Sequence, residues 1–359
     1  MSQTIQTIPV RTKPEYSAAI GEGLLDRCGQ RLREVLEPCR AAVITDSNVG
    51  PLYLERARAS LEGAGFAVSA FSFPAGEGSK NLGTLGEALE FLARERLTRT
   101  DLVVALGGGV TGDMAGLAAA LYLRGIRCVQ LPTSLLAAVD SSVGGKTAVD
   151  LSAGKNLAGA FLQPSAVLCD VTCLATLPPL YFADGMAEVI KTGVLAGEEL
   201  FSLLESGPLT PESGLLPRII ARCIAYKAGV VERDEKEQGE RKLLNLGHTV
   251  GHAIEKVSGF AIPHGHAVAA GTAIIARAAE ALGWTGEPVA GRIIPCLEQN
   301  GLPADTAFSP EELAEAALGD KKRAGDAITL VVPEKIGRCA MRTVPVGELL
   351  PVIRAGMGR

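Results

Sequence analysis

All four histidines of this chain fall between His248 and His266. Histidine titrates nearest neutrality and is the commonest metal ligand. His248 and His252 stand four residues apart, so a helix would carry both on one face. His264 and His266 follow after Gly259. Such grouping points to a shared site rather than to four separate core or surface histidines. The HxxxH spacing also occurs on zinc-protease helices, where a glutamate directly after the first histidine acts as general base. Here that position is Thr249, which excludes the protease reading. A metal site in this stretch still needs an acidic ligand and a substrate.

A second stretch has the composition of a nucleotide site. Asp101–Leu106 reads as a strand that runs straight into Gly107, Gly108 and Gly109, and then into an alanine-rich helix. Gly107, Gly109 and Gly112 satisfy G-x-G-x-x-G in a strand–turn–helix context. There the backbone can approach a pyrophosphate at a helix N-terminus, although a tight packing turn reads the same way. The ribose-binding acid expected about 20 residues later is missing. Asp46 and Glu77, each at the end of a strand, are the alternatives. Val139–Thr147 contains Gly-Lys-Thr, but Asp140 replaces the first glycine of a Walker A loop. The stretch reads instead as a glycine turn able to nest a phosphate, with Lys155 and Asn156 beside it.

The elements that must position these residues alternate between strand and helix up to Pro178-Pro179. Strands are expected at 4–20 (a pair turning at Lys13-Pro14-Glu15), Arg40–Thr45, Phe66–Phe73 and Asp101–Leu106. Helices are expected at Leu24–Leu36, 52–63 and Leu82–Glu95. That order implies a mostly parallel sheet with helices on both faces. After the prolines the pattern becomes helix after helix, so a domain 1–180 and a domain 181–359 are expected. Glu188 and Lys191 share a helix face, as a simple surface ion pair would. Residues 216–232 form a further helix carrying Lys227. Glu232–Lys242 reads as a solvated charged turn, and Asp320-Lys321-Lys322 as a basic turn before a strand from Ala327 to Val332.

The chain has 359 residues, 47% hydrophobic and 21% charged, a soluble globular balance. Aromatics at 4% argue against base-stacking platforms. A net charge of −5 argues against a phosphate-backbone binder, so no nucleic acid partner is expected. Eight scattered cysteines without CxxC spacing read as reduced thiols of a cytoplasmic protein. No apolar run reaches membrane-spanning length.

Read together, the strings LGGGVTGDMAG, RGI, PTSLLAAVDSSVGGKTAV, GKN, TLP, GMAEVIK, RKLLNLGHTVGHAIE, HGHAVAAG and DKK resemble the 3-dehydroquinate synthase family of sugar-phosphate cyclases over nearly the whole length. The resemblance implies an N-terminal Rossmann-like α/β domain that binds NAD and a mostly α-helical C-terminal domain that binds metal and substrate. It also implies a zinc or cobalt ion held by Glu188, His248 and His264, a set that leaves positions open for substrate oxygens. The implied reaction turns 3-deoxy-arabino-heptulosonate 7-phosphate (DAHP) into 3-dehydroquinate and phosphate. It proceeds through transient oxidation by NAD, phosphate elimination, re-reduction, ring opening and aldol closure.

Carried over position by position, Lys146, Asn156, His252, Lys321 or Lys322, and Arg124 would contact the phosphate or nearby hydroxyls. Arg124 would come from the neighbouring subunit of a homodimer. Lys191, Lys227, Arg241 and Asn245 would hold the ring and carboxylate, and Asp140 would orient a hydroxyl. These cations suit a strongly anionic substrate in a net-acidic chain. On the cofactor side the matches are Asp46, Asn48, Glu77, Lys80, Gly108, Gly109, Asp113, Thr133, Ser134, Asp140, Lys146, Lys155 and Thr176. One departure stands out. The family usually reads His-Gly-Glu where this chain has His264-Gly265-His266, which makes His266 a competing ligand or a neighbour of the ligands.

Overall fold

The computed structural model describes residues 5–318, 323–324 and 326–358. The chain opens with β1 (Gln6–Val10), β2 (Tyr16–Gly21), α1 (Cys28–Leu32), β3 (Arg40–Asp46), α2 (Gly50–Gly63), β4 (Ala67–Phe73), α3 (Leu82–Arg94), β5 (Leu102–Gly107) and α4 (Gly109–Leu121). It continues through β6 (Arg127–Pro132), β7 (Lys146–Leu151), β8 (Gly154–Phe161) and β9 (Ala166–Asp170). Three helices follow: α5 (Pro179–Ala196), α6 (Glu198–Glu205) and α7 (Leu216–Arg233). The last stretch holds α8 (His248–Val257), α9 (His264–Ala281), α10 (Ala290–Glu298), α11 (Pro310–Leu318), β10 (Arg323–Ala324), β11 (Ala327–Lys335), β12 (Arg338–Pro345) and α12 (Leu349–Met357).

The chain divides into two compact units. The first comprises the residues up to Leu177 together with Gly214–Lys236; the second comprises Pro178–Ser213 and the residues from Glu237 onward. The helix that carries Lys227 therefore belongs to the first unit.

In the first unit seven strands run in the order β1-β2-β9-β6-β5-β3-β4. Only β1 pairs antiparallel, with β2; the other pairings are parallel. A parallel sheet is covered on both faces, which is why β5 reads as an unbroken apolar run. Leu102, Val104 and Leu106 enter one core cluster with Leu61 and Cys28, whereas Val103 and Ala105 enter the opposite cluster with Met114 and Leu92.

Two local expectations change. The helix foreseen over Leu24–Leu36 is confined to Cys28–Leu32. The backbone N–H groups of Gly23 and Leu25 donate to the Asp170 carboxylate at 3.1 and 2.9 Å, which holds that segment in a turn. The stretch after the glycine turn, for which no strand was expected, forms the antiparallel hairpin β7–β8. Gly116 of α4 lets it close in: a Cβ there would lie 2.4 Å from Thr147 Cγ2.

The second unit is helical, with β10, β11 and β12 as a small antiparallel sheet. Its helices approach closely through small residues. A Cβ on Gly271 of α9 would meet the Gly247 carbonyl oxygen at 2.3 Å, and one on Gly265 would meet the Asp184 carbonyl oxygen at 1.9 Å. α9 is rich in alanine, and thirteen of its residues are buried.

Candidate active site

Three helices of the second unit bring Glu188, His248 and His264 together. Glu188 lies in the middle of α5 and is 1% exposed. His248 is the first residue of α8, set there by Gly247 in the left-handed region at φ 77. His264 is the first residue of α9, directly after Pro263. Glu188 Oε1 lies 3.7 Å from His248 Nε2 and 3.4 Å from His264 Nε2. Ligands bound tetrahedrally at ~2.1 Å around a divalent ion stand roughly 3.4 Å apart, so the set fits such an ion. Both Glu188 oxygens are buried and accept no hydrogen bond from the described residues, although Oε2 is in ionic contact with Lys191. A buried carboxylate in that state suits a cation.

The ring nitrogens are oriented for this. His248 Nδ1 lies 3.0 Å from the Leu246 carbonyl oxygen. A carbonyl only accepts, so Nδ1 carries the hydrogen and Nε2 presents its lone pair. His264 Nδ1 lies 3.2 Å from Glu255 Oε2, an arrangement of the same kind. Burial raises the Glu188 carboxyl, but the Lys191 ammonium and His264 outweigh it and hold the group down at about 2. Burial lowers His264, but its contacts with Glu188 and Glu255 push it up to about 10.

The other two histidines separate. The His252 ring lies beside those of His248 and His264, with centroids 5.4 and 5.9 Å away. His266 turns elsewhere: its Nδ1 is 3.1 Å from Asp184 Oδ1, which also accepts its backbone N–H at 3.0 Å. Neither three-residue group of possible metal ligands among the described residues includes it. The competing ligand role for His266 therefore has no geometric support.

Lys191 is 2% exposed, and Arg241 is 1% exposed on a short 3-10 turn, Glu240–Asn245. The charged run foreseen as solvated thus contains one of the largest fully buried side chains. Asn245 Nδ2 donates to Glu237 Oε1 at 3.2 Å. Lys321 and Lys322 lie outside the described residues.

In the first unit, α4 starts at Gly109 with no side-chain cap on its N-terminus. The glycines around it have different reasons. A Cβ on Gly107 would meet Thr111 Oγ1 at 2.5 Å, and one on Gly112 would meet Gln130 Oε1 at 2.9 Å. These two are packing glycines. A Cβ on Gly108 or Gly109 would come no nearer than 3.3 Å to its neighbours, a serine hydroxyl in each case. Gly108 and Gly109 keep the helix start accessible to an anion. Thr133 donates its backbone N–H to the Gly107 carbonyl at 2.9 Å, and Ser134 follows it in the same turn.

Lys80 joins the predicted cofactor residues into a network. Its Nζ lies 2.6 Å from Asp113 Oδ2, 2.6 Å from Asn156 Oδ1 and 3.9 Å from Glu77, and Lys155 stands 4.0 Å from Glu77. Asp46 accepts the N–H groups of Asn48 and Val49 through Oδ1 and the Thr111 hydroxyl through Oδ2, so it holds the turn that leads into α2. The Thr176 hydroxyl is 2.5 Å from the Tyr53 hydroxyl. Lys227 Nζ donates to Asp140 at 2.5 Å (Oδ1) and 2.7 Å (backbone carbonyl). Lys146 begins β7 and is exposed, with left-handed Gly144 and Gly145 just before it. Arg124 is exposed on a turn where it and Leu123 are both left-handed, at φ 68 and 50.

The residues missed in the sequence are Glu255 and Asp184. Each had a signal. Glu255 is seven residues after His248 and three after His252, on the same helix face. Asp184 precedes Glu188 by one helical turn.

A carboxylate and two imidazoles converging on one point, in a chain whose other unit offers an uncapped glycine start on a parallel sheet, define a metal-site enzyme with a nucleotide-type domain. Comparison with known proteins narrows this. The family descriptions 3-dehydroquinate synthase N-terminal and C-terminal match residues 70–184 and 185–323. The 3-dehydroquinate synthase of Paracoccus denitrificans (strain Pd 1222) is 44% identical over 333 residues, covering 90% of this chain and 91% of the relative. The chain belongs to the 3-dehydroquinate synthase family. Among solved structures, a 2-deoxy-scyllo-inosose synthase complexed with carbaglucose-6-phosphate, NAD+ and Co2+ superposes with a TM-score of 0.87 at 28% identity, covering 98% of this chain and 99% of the other. The 2-epi-5-epi-valiolone synthase ValA from Streptomyces hygroscopicus subsp. jinggangensis 5008, with NAD+ and Zn2+ bound, gives 0.85 at 26% identity, covering 96% and 97%.

Proposed function

We propose that this chain catalyses the 3-dehydroquinate synthase reaction, converting DAHP to 3-dehydroquinate and phosphate as a carbon–oxygen lyase. The observation that carries the reading is the buried Glu188 carboxylate facing Nε2 of both His248 and His264. These three residues would hold zinc or cobalt. Gly108, Gly109 and the start of α4, with Asp46, Asn48, Glu77, Lys80, Asp113, Thr133, Ser134, Lys155 and Thr176 around the sheet, would hold NAD. When bound, the nucleotide would supply reversible hydride acceptance, and the metal would supply Lewis acidity.

The chain's own groups do the rest by position and charge. Lys191, Lys227, Arg241 and Asn245 bind the ring and carboxylate, and the burial of Lys191, Lys227 and Arg241 strengthens their ionic contacts. Asp140, held by Lys227, orients a substrate hydroxyl. Lys146, Asn156 and His252 bind the phosphate, with Lys321 or Lys322, and so stabilise it as it departs. Arg124 reaches the neighbouring site of a homodimer. No described helix is long and apolar enough to cross a membrane. No disulfide joins the cysteines among the described residues, which suits a cytoplasmic enzyme.

The test is incubation with DAHP, NAD and zinc, following phosphate and NADH together. Phosphate release without accumulating NADH is expected. A chain inert towards DAHP that released phosphate from a sugar phosphate lacking a carboxylate would move it to the sister cyclases. Net NADH formation would make it a dehydrogenase.

A further inference from the structure

Glu255 is a buried acid to which no role has been assigned. It lies two helical turns after His248 on α8 and is 2% exposed. Its Oε2 is 3.2 Å from His264 Nδ1, while Nε2 of the same ring is 3.4 Å from Glu188 Oε1. The two carboxylates thus bracket one imidazole. His264 needs a second hold more than its partner does. It opens its helix directly after a proline, and its side chain is 32% exposed against 10% for His248. His248 takes its orientation from a backbone carbonyl. His264 has Glu255.

Glu255 also belongs to a second compact group of possible ligands, with His252 and His264. Direct ligation is therefore the rival role. Two observations weigh against it. The Glu255 oxygen already has a hydrogen-bond partner in Nδ1, whereas Glu188 Oε1 is buried, accepts no hydrogen bond from the described residues and faces Nε2 of both histidines, so it is the oxygen a cation satisfies. And a hydrogen on Nδ1 leaves Nε2, aimed at Glu188, as the ligating atom.

We infer that Glu255 is a positioning residue of the metal centre: it accepts the Nδ1 hydrogen of His264, fixes the ring's tautomer and direction, and makes Nε2 a better donor. This rests on the Glu188–His248–His264 reading of the metal site. The test uses the full chain and the variants Glu255→Ala, Glu255→Gln and Glu188→Gln. Three quantities are read: the zinc dissociation constant by competition with a chromophoric chelator, zinc coordination by X-ray absorption, and the His264 Nδ1–H resonance in zinc-loaded protein labelled with 15N.

Glu255→Ala is expected to weaken zinc binding about 10- to 100-fold and to lose the resonance. Glu255→Gln, whose amide oxygen accepts the same hydrogen, should weaken it less and keep the resonance, with the zinc ligand set unchanged. Zinc binding by Glu255→Ala within twofold of wild type, while Glu188→Gln loses it, overturns this inference alone. So does loss of an oxygen ligand in Glu255→Gln, which would make Glu255 a ligand. If Glu255→Ala does not fold, the glutamine variant decides: an unchanged dissociation constant with no Nδ1–H resonance in wild type overturns the inference. A wild-type chain that takes up no zinc overturns the metal-site reading itself.

Discussion

A cation between Glu188, His248 and His264 has to compete with a proton. His264 is raised from 6.5 to about 10 in the metal-free chain, and Glu188 is lowered from 4.5 to about 2. The raised group contributes stability that is complete below pH 6.5 and lost as pH rises through 10. The lowered group contributes stability that is complete above pH 4.5 and lost as pH falls through 2. The metal-free cluster is therefore most stabilising between pH 4.5 and 6.5. Metal uptake expels the His264 proton, so affinity should climb with pH from 6.5 towards 10. Calorimetry of zinc binding in buffers of different ionisation enthalpy should show proton release near pH 8. His264→Ala should abolish zinc binding, whereas His266→Ala should keep it and cost about 0.5–1.5 kcal/mol of stability from its lost bond to Asp184. Metal content and urea unfolding check both. Histidine count and spacing made this region legible in the sequence. They could not separate His264 from His266, because that depends on whether Glu188 or Asp184 faces each ring across a helix contact.

At the scale of elements, glycines decide where helices start and how close they pack. Gly265→Ala would place a methyl 1.9 Å from the Asp184 carbonyl oxygen. Overpacking of this kind costs about 1–3 kcal/mol and would push the start of α9, with His264, off its place. Lower thermal stability together with weaker zinc binding is expected. Around α4 the prediction splits. Gly112→Ala should lower the melting temperature through its clash with Gln130, and Gly109→Ala should leave folding intact and weaken NAD binding about tenfold or more. Ligand titration beside thermal unfolding separates the two. The strand–helix alternation of the sheet was readable because β5 is apolar throughout and α3 before it is periodic. The hairpin β7–β8 was not, since Lys146–Phe161 alternates only weakly and its partner surface lies on α4. Nor was the short α1, which is held back by a carboxylate on a distant strand.

For the whole molecule, the shared-site reading predicts complementation. Arg124→Ala and Glu188→Gln should each be inactive alone. Unfolded and refolded together in equal amounts, they should recover roughly a quarter of wild-type activity, because half the dimers are mixed and each mixed dimer has one complete site. Recovery near zero would assign Arg124 to its own subunit. The division of the chain into units was only partly legible, because a helix's periodicity shows that it has a buried face without showing what covers it. α7 is the instance: Ile219, Ile220, Cys223, Ile224 and Val231 are buried, and the helix packs against β1 and β2. The unit that begins the chain is thus finished by a segment that follows the first helices of the other unit. During synthesis the sheet must wait for Lys236 to leave the ribosome, while Pro178–Ser213 waits for partners made later still. A fragment ended at residue 180 should therefore emerge unfinished and aggregation-prone, and the two units should mature as a pair rather than one after the other.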